Sequence, residues 1–140
     1  MNAELDVRVT AGFLESGRAL ANASHTAAMV AGFGTVAAHH AVTRLVFAGS
    51  MLCWLVESWF AVRVMIDAEL FRDCPAGDLE TDWRQLDELL ISWRFLRAPT
   101  NRSTADRTRG AMRLWRRQVL TFMVQATLLV AAVLLQFEGF

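Results

Sequence analysis

The chain has 140 residues, zero formal net charge and 54% hydrophobic residues, with a mean hydropathy of +0.30. That is enough for one small domain. It is too apolar for an ordinary soluble one, and it lacks the basic excess that nucleic-acid binding calls for. All fourteen basic residues are arginine and there is no lysine or tyrosine, a usage that points first to a GC-rich bacterial genome.

The first twenty residues carry Glu4, Asp6, Arg8, Glu15 and Arg18 and show no apolar core of a cleavable signal peptide. Ala19–Ala38 follows, rich in alanine and glycine and only moderately hydrophobic. Small residues recur in it four apart, as Ala27 and Ala31, Ala28 and Gly32, Gly34 and Ala38. Such spacing lets membrane helices approach closely, so 19–38 is expected to be a span. The alternative is an amphipathic or buried helix outside the bilayer.

Leu45–Val62 holds one charge, Glu57, between Arg44 and Arg63, and is long enough to cross a bilayer. Trp54 and Trp59 lie in its second half, and tryptophan favours the lipid–water boundary. Apolar residues continue through Val64, Met65, Ile66, Leu70 and Phe71, so this helix is expected to project from the membrane to about residue 72. Cys74-Pro75-Ala76-Gly77 then signals a turn. Cys53 and Cys74 form no disulfide framework.

Leu79–Leu96 places Trp83, Leu86, Leu90 and Trp93 at 3-4-3 spacing, one apolar stripe on a helix. Asp82, Arg84, Asp87, Glu88 and Arg94 make it too charged to cross a membrane. It is expected to be a short cytoplasmic amphipathic helix whose stripe packs on the neighbouring helices, with lipid or a partner protein as the alternatives. Ala98-Pro99-Thr100-Asn101 breaks it, and Ser103-Thr104-Ala105-Asp106 resembles a capping box. A helix over 104–137 is expected from there, with its span at 119–137. Within it Val119–Leu135 is a run of 17 residues without charge, proline or glycine. At ~1.5 Å rise per residue this run nearly covers ~30 Å of hydrocarbon.

Orientation follows from arginine. Ala98–Gln118 holds Arg102, Arg107, Arg109, Arg113, Arg116 and Arg117 against Asp106, which places the middle of the chain in the cytoplasm and Phe140 outside. Three spans keep Arg8 and Arg18 inside and leave only the His39–Arg44 turn outside. The expected fold is therefore one all-α membrane domain over 1–140, with two to three transmembrane helices, an extended cytoplasmic helical hairpin and the short amphipathic helix.

Glu57 is the most informative residue, because an ionisable group within a span is costly and faces the bundle interior or a cavity. Counted from the cytoplasmic ends of the two apolar runs, Val62 and Val119, Glu57 and Gln125 lie at matching depth, which predicts a hydrogen bond between them. The same antiparallel alignment sets Asp67, Glu69 and Asp73 opposite Arg116, Arg113 and Arg109 as salt bridges below the membrane. Arg113, Arg116 and Arg117 are expected at lipid headgroups. His25, His39 and His40 have no metal-ligand spacing, so neither metal nor cofactor is expected. No catalytic motif is present. The reading is a small non-enzymatic bacterial inner-membrane protein whose surroundings are the lipid bilayer and either further copies of itself or a larger membrane complex. The alternative is an oligomeric channel or transporter with Glu57 lining an ion or proton pathway.

Overall fold

The structure is a computed structural model, and it describes residues 3–72 and 104–138. Among these, three helices and no strands are present: α1 is Ala3–Ala37, α2 is Ala41–Arg72 and α3 is Thr104–Glu138. The amphipathic helix expected over 79–96, with Trp83, Leu86, Leu90 and Trp93, lies outside the described residues, as does Asp73.

Alanine-rich sequence favours helix in α1, which starts well before Ala19 and so takes in Thr10, Leu14 and Gly17. It ends at the His39-His40 turn without glycine or proline. The Ala38 N–H closes back on the Gly34 carbonyl at 2.9 Å. Arg44, one turn into α2, reaches back to donate to the Ala38 carbonyl at 2.9 Å, satisfying one of the acceptors that a helix C-terminus leaves open. So short a connection makes α1 and α2 antiparallel neighbours. Each helix packs against the other two.

Burial repeats in sevens. On α2 the buried positions are Thr43, Phe47, Ser50, Glu57, Val64, Ala68 and Phe71. On α1 they are Thr10, Leu14, Gly17, Ser24, Ala28, Ala31 and Ala38 at its C-terminal end, and on α3 they are Ala111, Gln118, Gln125 and Ala132. A period of 3.5 residues is that of a left-handed supercoil with a narrow seam. Two apolar clusters sit at the ends of this seam. Leu14, Val64, Ala68, Phe71 and Ala111 form one, and Ala31, Ala38, Phe47 and Ala132 form the other. Close approach at the second depends on Gly34, where a Cβ would stand 2.5 Å from the Phe47 ring.

Polarity is inverted relative to a water-soluble bundle. Glu57, Gln118 and Gln125 are fully buried, while Val36, Phe33 and Phe137 are 85%, 79% and 73% exposed. Two helices, α2 and the 105–137 part of α3, are long and apolar enough to cross a membrane, and few of their apolar residues are covered within the chain.

Candidate functional site: a buried polar ladder

Between the two apolar clusters the seam carries hydrogen-bonding side chains. Gln118 of α3 donates from Nε2 to Glu57 Oε1 on α2 at 2.8 Å and to the Gly17 carbonyl on α1 at 3.1 Å. One carboxamide thus ties all three helices. Glycine at position 17 is what permits this, because a Cβ there would meet Val64 Cγ1 at 2.9 Å and Gln118 Oε1 at 3.0 Å. Seven residues on along α3, Gln125 repeats the arrangement. Its Nε2 donates to the Ser24 carbonyl at 2.9 Å, its Oε1 accepts from Ser24 Oγ, and its main-chain carbonyl accepts from Ser50 Oγ at 3.2 Å. Both glutamines reach the α1 residue 101 positions earlier, which fixes α1 and α3 as parallel and in register.

The partner of Glu57 is therefore Gln118, and Gln125 bonds to serines. Depth counted from the charge-free run Val119–Leu135 sets Gln118 outside the span, beside Arg116 and Arg117, and so selects the next glutamine. Packing follows the heptad instead, and the heptad brings Gln118 into the core. Ser24, Ser50 and Gly17 were also missed. Their signal was a seven-residue repeat of small and polar side chains, which a search for apolar stripes passes over.

Glu57 Oε2 and Gln118 Oε1 are buried and have no hydrogen-bond partner among the described residues. No cluster of three His, Cys, Asp or Glu side chains able to hold a metal is found among the described residues. Chemically the ladder can hold helices in register. In membranes, interhelical bonds of this kind average ~0.6 kcal/mol each, with a maximum of ~1.7.

Below the ladder, the ion pairs differ from those expected. Glu69 pairs with Arg18 of α1 and with Arg72 of its own helix, and does not meet Arg113. Arg109 pairs with Asp106 within α3 at 2.7 Å. The expectation treated α2 and α3 as a two-helix hairpin, whereas α1 runs alongside and brings Arg18 to Glu69 first. Burial pushes the Asp67 carboxyl up from its ordinary value, and the charge of Arg63 offsets part of that rise. Arg113, Arg116 and Arg117 are exposed.

Aromatic groups bracket the same region. Arg63 lies over the Trp59 ring at 5.5 Å, and Phe13 meets Trp115 edge-on at 5.4 Å. Trp115 also donates from Nε1 to Ser16 Oγ at 3.2 Å. His25 stands edge-on to Trp54 at 5.6 Å, with its Nδ1 2.6 Å from the Ala21 carbonyl. A carbonyl can only accept, so Nδ1 carries a proton. His39 and His40 are exposed at the α1–α2 turn.

No protein-family model, no curated protein and no solved structure matches the chain.

Proposed function

We propose that this chain is a small, non-enzymatic, multi-pass protein of a bacterial inner membrane, acting as a self-assembling or accessory subunit of a membrane complex. The observation that carries the reading is the inverted polarity. A seam holding Ser24, Ser50, Glu57, Gln118 and Gln125 is wrapped by Phe33, Val36, Leu45, Leu52, Trp59, Leu120 and Phe137, all largely exposed. In water such a surface far exceeds the apolar patch a monomer tolerates, whereas in lipid it is the required one. The seam bonds join one helix to another, which supports a scaffold.

α1 has no stretch as apolar as those of α2 and α3, yet its contacts support placing it in the same layer. Ser24 bonds to Gln125, and Ala31 packs with Ala132, at the level of the charge-free part of α3. Three spans follow. Arg8, Arg18 and the Arg107–Arg117 arginines then lie on the cytoplasmic side, and the His39-His40 turn and the C-terminus lie outside. Arg113, Arg116 and Arg117 sit at the headgroups, each attracting anionic lipid by ~1 kcal/mol. An oligomeric channel lined by Glu57 draws no support from a carboxyl that faces the interior of a single chain.

The test is the mass of the native particle. The tagged protein, extracted from its own membrane in mild detergent and measured by native mass spectrometry, is expected as several copies or with further subunits bound. A lone chain recovered under every mild extraction condition rules the subunit reading out.

A further inference from the structure

A groove of about 370 Å³ opens between α1 and α2, with Gly17, Arg18, Ala21 and Asn22 on one wall and Ser58, Ala61, Val62 and Met65 on the other. His25 also lines it. We propose that this groove is a binding site for the headgroup and glycerol region of one anionic phospholipid of the cytoplasmic leaflet. The proposal rests on the membrane reading above and goes beyond it, because it names a discrete site on one face of the bundle.

Two observations carry it. The first is position: on α2 the groove runs from Ser58 to Met65, across Val62 and Arg63, where the apolar run Leu45–Val62 ends. It therefore straddles the boundary between hydrocarbon and headgroups, with Arg18 at the headgroup end and His25 about two turns deeper, roughly 10 Å. The second is charge: Arg18 is the only formally charged residue in the lining, and no acid lines the groove. Its ion pair with Glu69 uses one terminal nitrogen of a guanidinium that offers five N–H donors, and its side chain is 58% exposed.

These features suit an amphiphile that enters from the side. The phosphodiester accepts from Arg18 and Asn22, and the first methylenes lie along Ala21, Ala61, Val62 and Met65. The volume is near the lower limit for small-ligand sites, ~300–1,000 Å³. It takes a headgroup and glycerol and leaves the acyl chains to the bilayer.

The protein in detergent is titrated with phosphatidylglycerol and, separately, with phosphatidylcholine, and bound lipid is counted by native mass spectrometry. One phosphatidylglycerol is expected to be retained in preference to phosphatidylcholine. Arg18→Gln should weaken retention by about fivefold or more, while Arg109→Gln, on exposed α3 surface where Arg109 pairs with Asp106, leaves it unchanged. Ala61→Phe fills the groove without altering charge and should abolish retention even if Arg18→Gln disturbs folding through Glu69. Equal losses for Arg18→Gln and Arg109→Gln would mean diffuse attraction to the arginines and overturn the site, as would full retention in Ala61→Phe. Release of the protein from membranes by alkaline carbonate without detergent would overturn the membrane reading itself. A protein that needs detergent yet holds both lipids alike overturns the groove alone.

Discussion

Gln118 holds Glu57 at 2.8 Å across antiparallel helices, at a level where neither side chain is exposed. The same amide nitrogen holds the Gly17 carbonyl, so the carboxyl, the glycine and the glutamine form one three-helix joint. A buried polar group without its partner costs more than the bond gains. The joint therefore specifies register: a slip of one residue on α2 or α3 takes Glu57 away from its donor, and a slip on α1 takes the Gly17 carbonyl away from Gln118.

Removing one partner should accordingly cost more than removing both. Gln118→Leu leaves Glu57 without its donor and is expected to destabilise by about 1–3 kcal/mol. The double variant with Glu57→Leu is expected to recover part of that loss. A double-mutant cycle on reversible unfolding in micelles gives the coupling, expected near ~0.6 kcal/mol and at most ~1.7. Strictly additive single effects would show that the bond plays no part in stability.

Gly34 and Phe47 make a second joint, of shape alone. A Cβ at position 34 would lie 2.5 Å from two atoms of the ring, well inside contact distance, so the ring or the helix must move. Gly34→Ala is expected to destabilise by about 1–3 kcal/mol, the usual cost of overpacking. Adding Phe47→Leu should relieve most of it, since the ring is what the new methyl meets. Thermal unfolding of the two single variants and the double variant checks this, and absence of rescue would place the clash elsewhere.

Asp67 gives a pH dependence with a definite sign. Its folded-state carboxyl is raised above the ordinary value of 3.8, chiefly by burial. Within the window between 3.8 and that raised value the folded state holds more protons than the unfolded state. Stability then falls as pH rises through the window. Asp67→Asn removes this slope and is expected to be more stable than the parent above the window. Unfolding midpoints across the acid range, measured for both proteins, provide the test; a parent that gains stability with rising pH relative to Asp67→Asn has the opposite linkage.

The all-helical class and the two strongly apolar helices were legible because composition and charge-free length report them directly. The seam was harder to see. In a soluble coiled coil the repeat is written in leucine and isoleucine against a polar background. Here the background is apolar, and the repeat is written in Thr10, Gly17, Ser24, Ser50, Gln118 and Gln125. Glu57 stood out because charge is conspicuous in such a background, whereas its partner Gln118 was hidden beside Arg116 and Arg117. The Arg18–Glu69 pair was out of reach of a hairpin argument, since it depends on where α1 lies.

The placement of α1 is also what decides the topology. If all three helices cross, residue 40 faces outside while residues 12 and 110 face the cytoplasm. If α1 stays outside the bilayer, residues 12 and 40 share the outer side. Gly12 and Gly110 suit cysteine substitution, because each is exposed and a Cβ at either meets nothing within 4 Å. His40 is exposed at the turn. With Cys53 and Cys74 replaced by serine, His40→Cys is expected to react with a membrane-impermeant maleimide in intact cells. Gly12→Cys and Gly110→Cys are expected to react only after permeabilisation. Labelling of Gly12→Cys in intact cells would remove the third span, and with it the lipid-facing role of Phe33 and Val36.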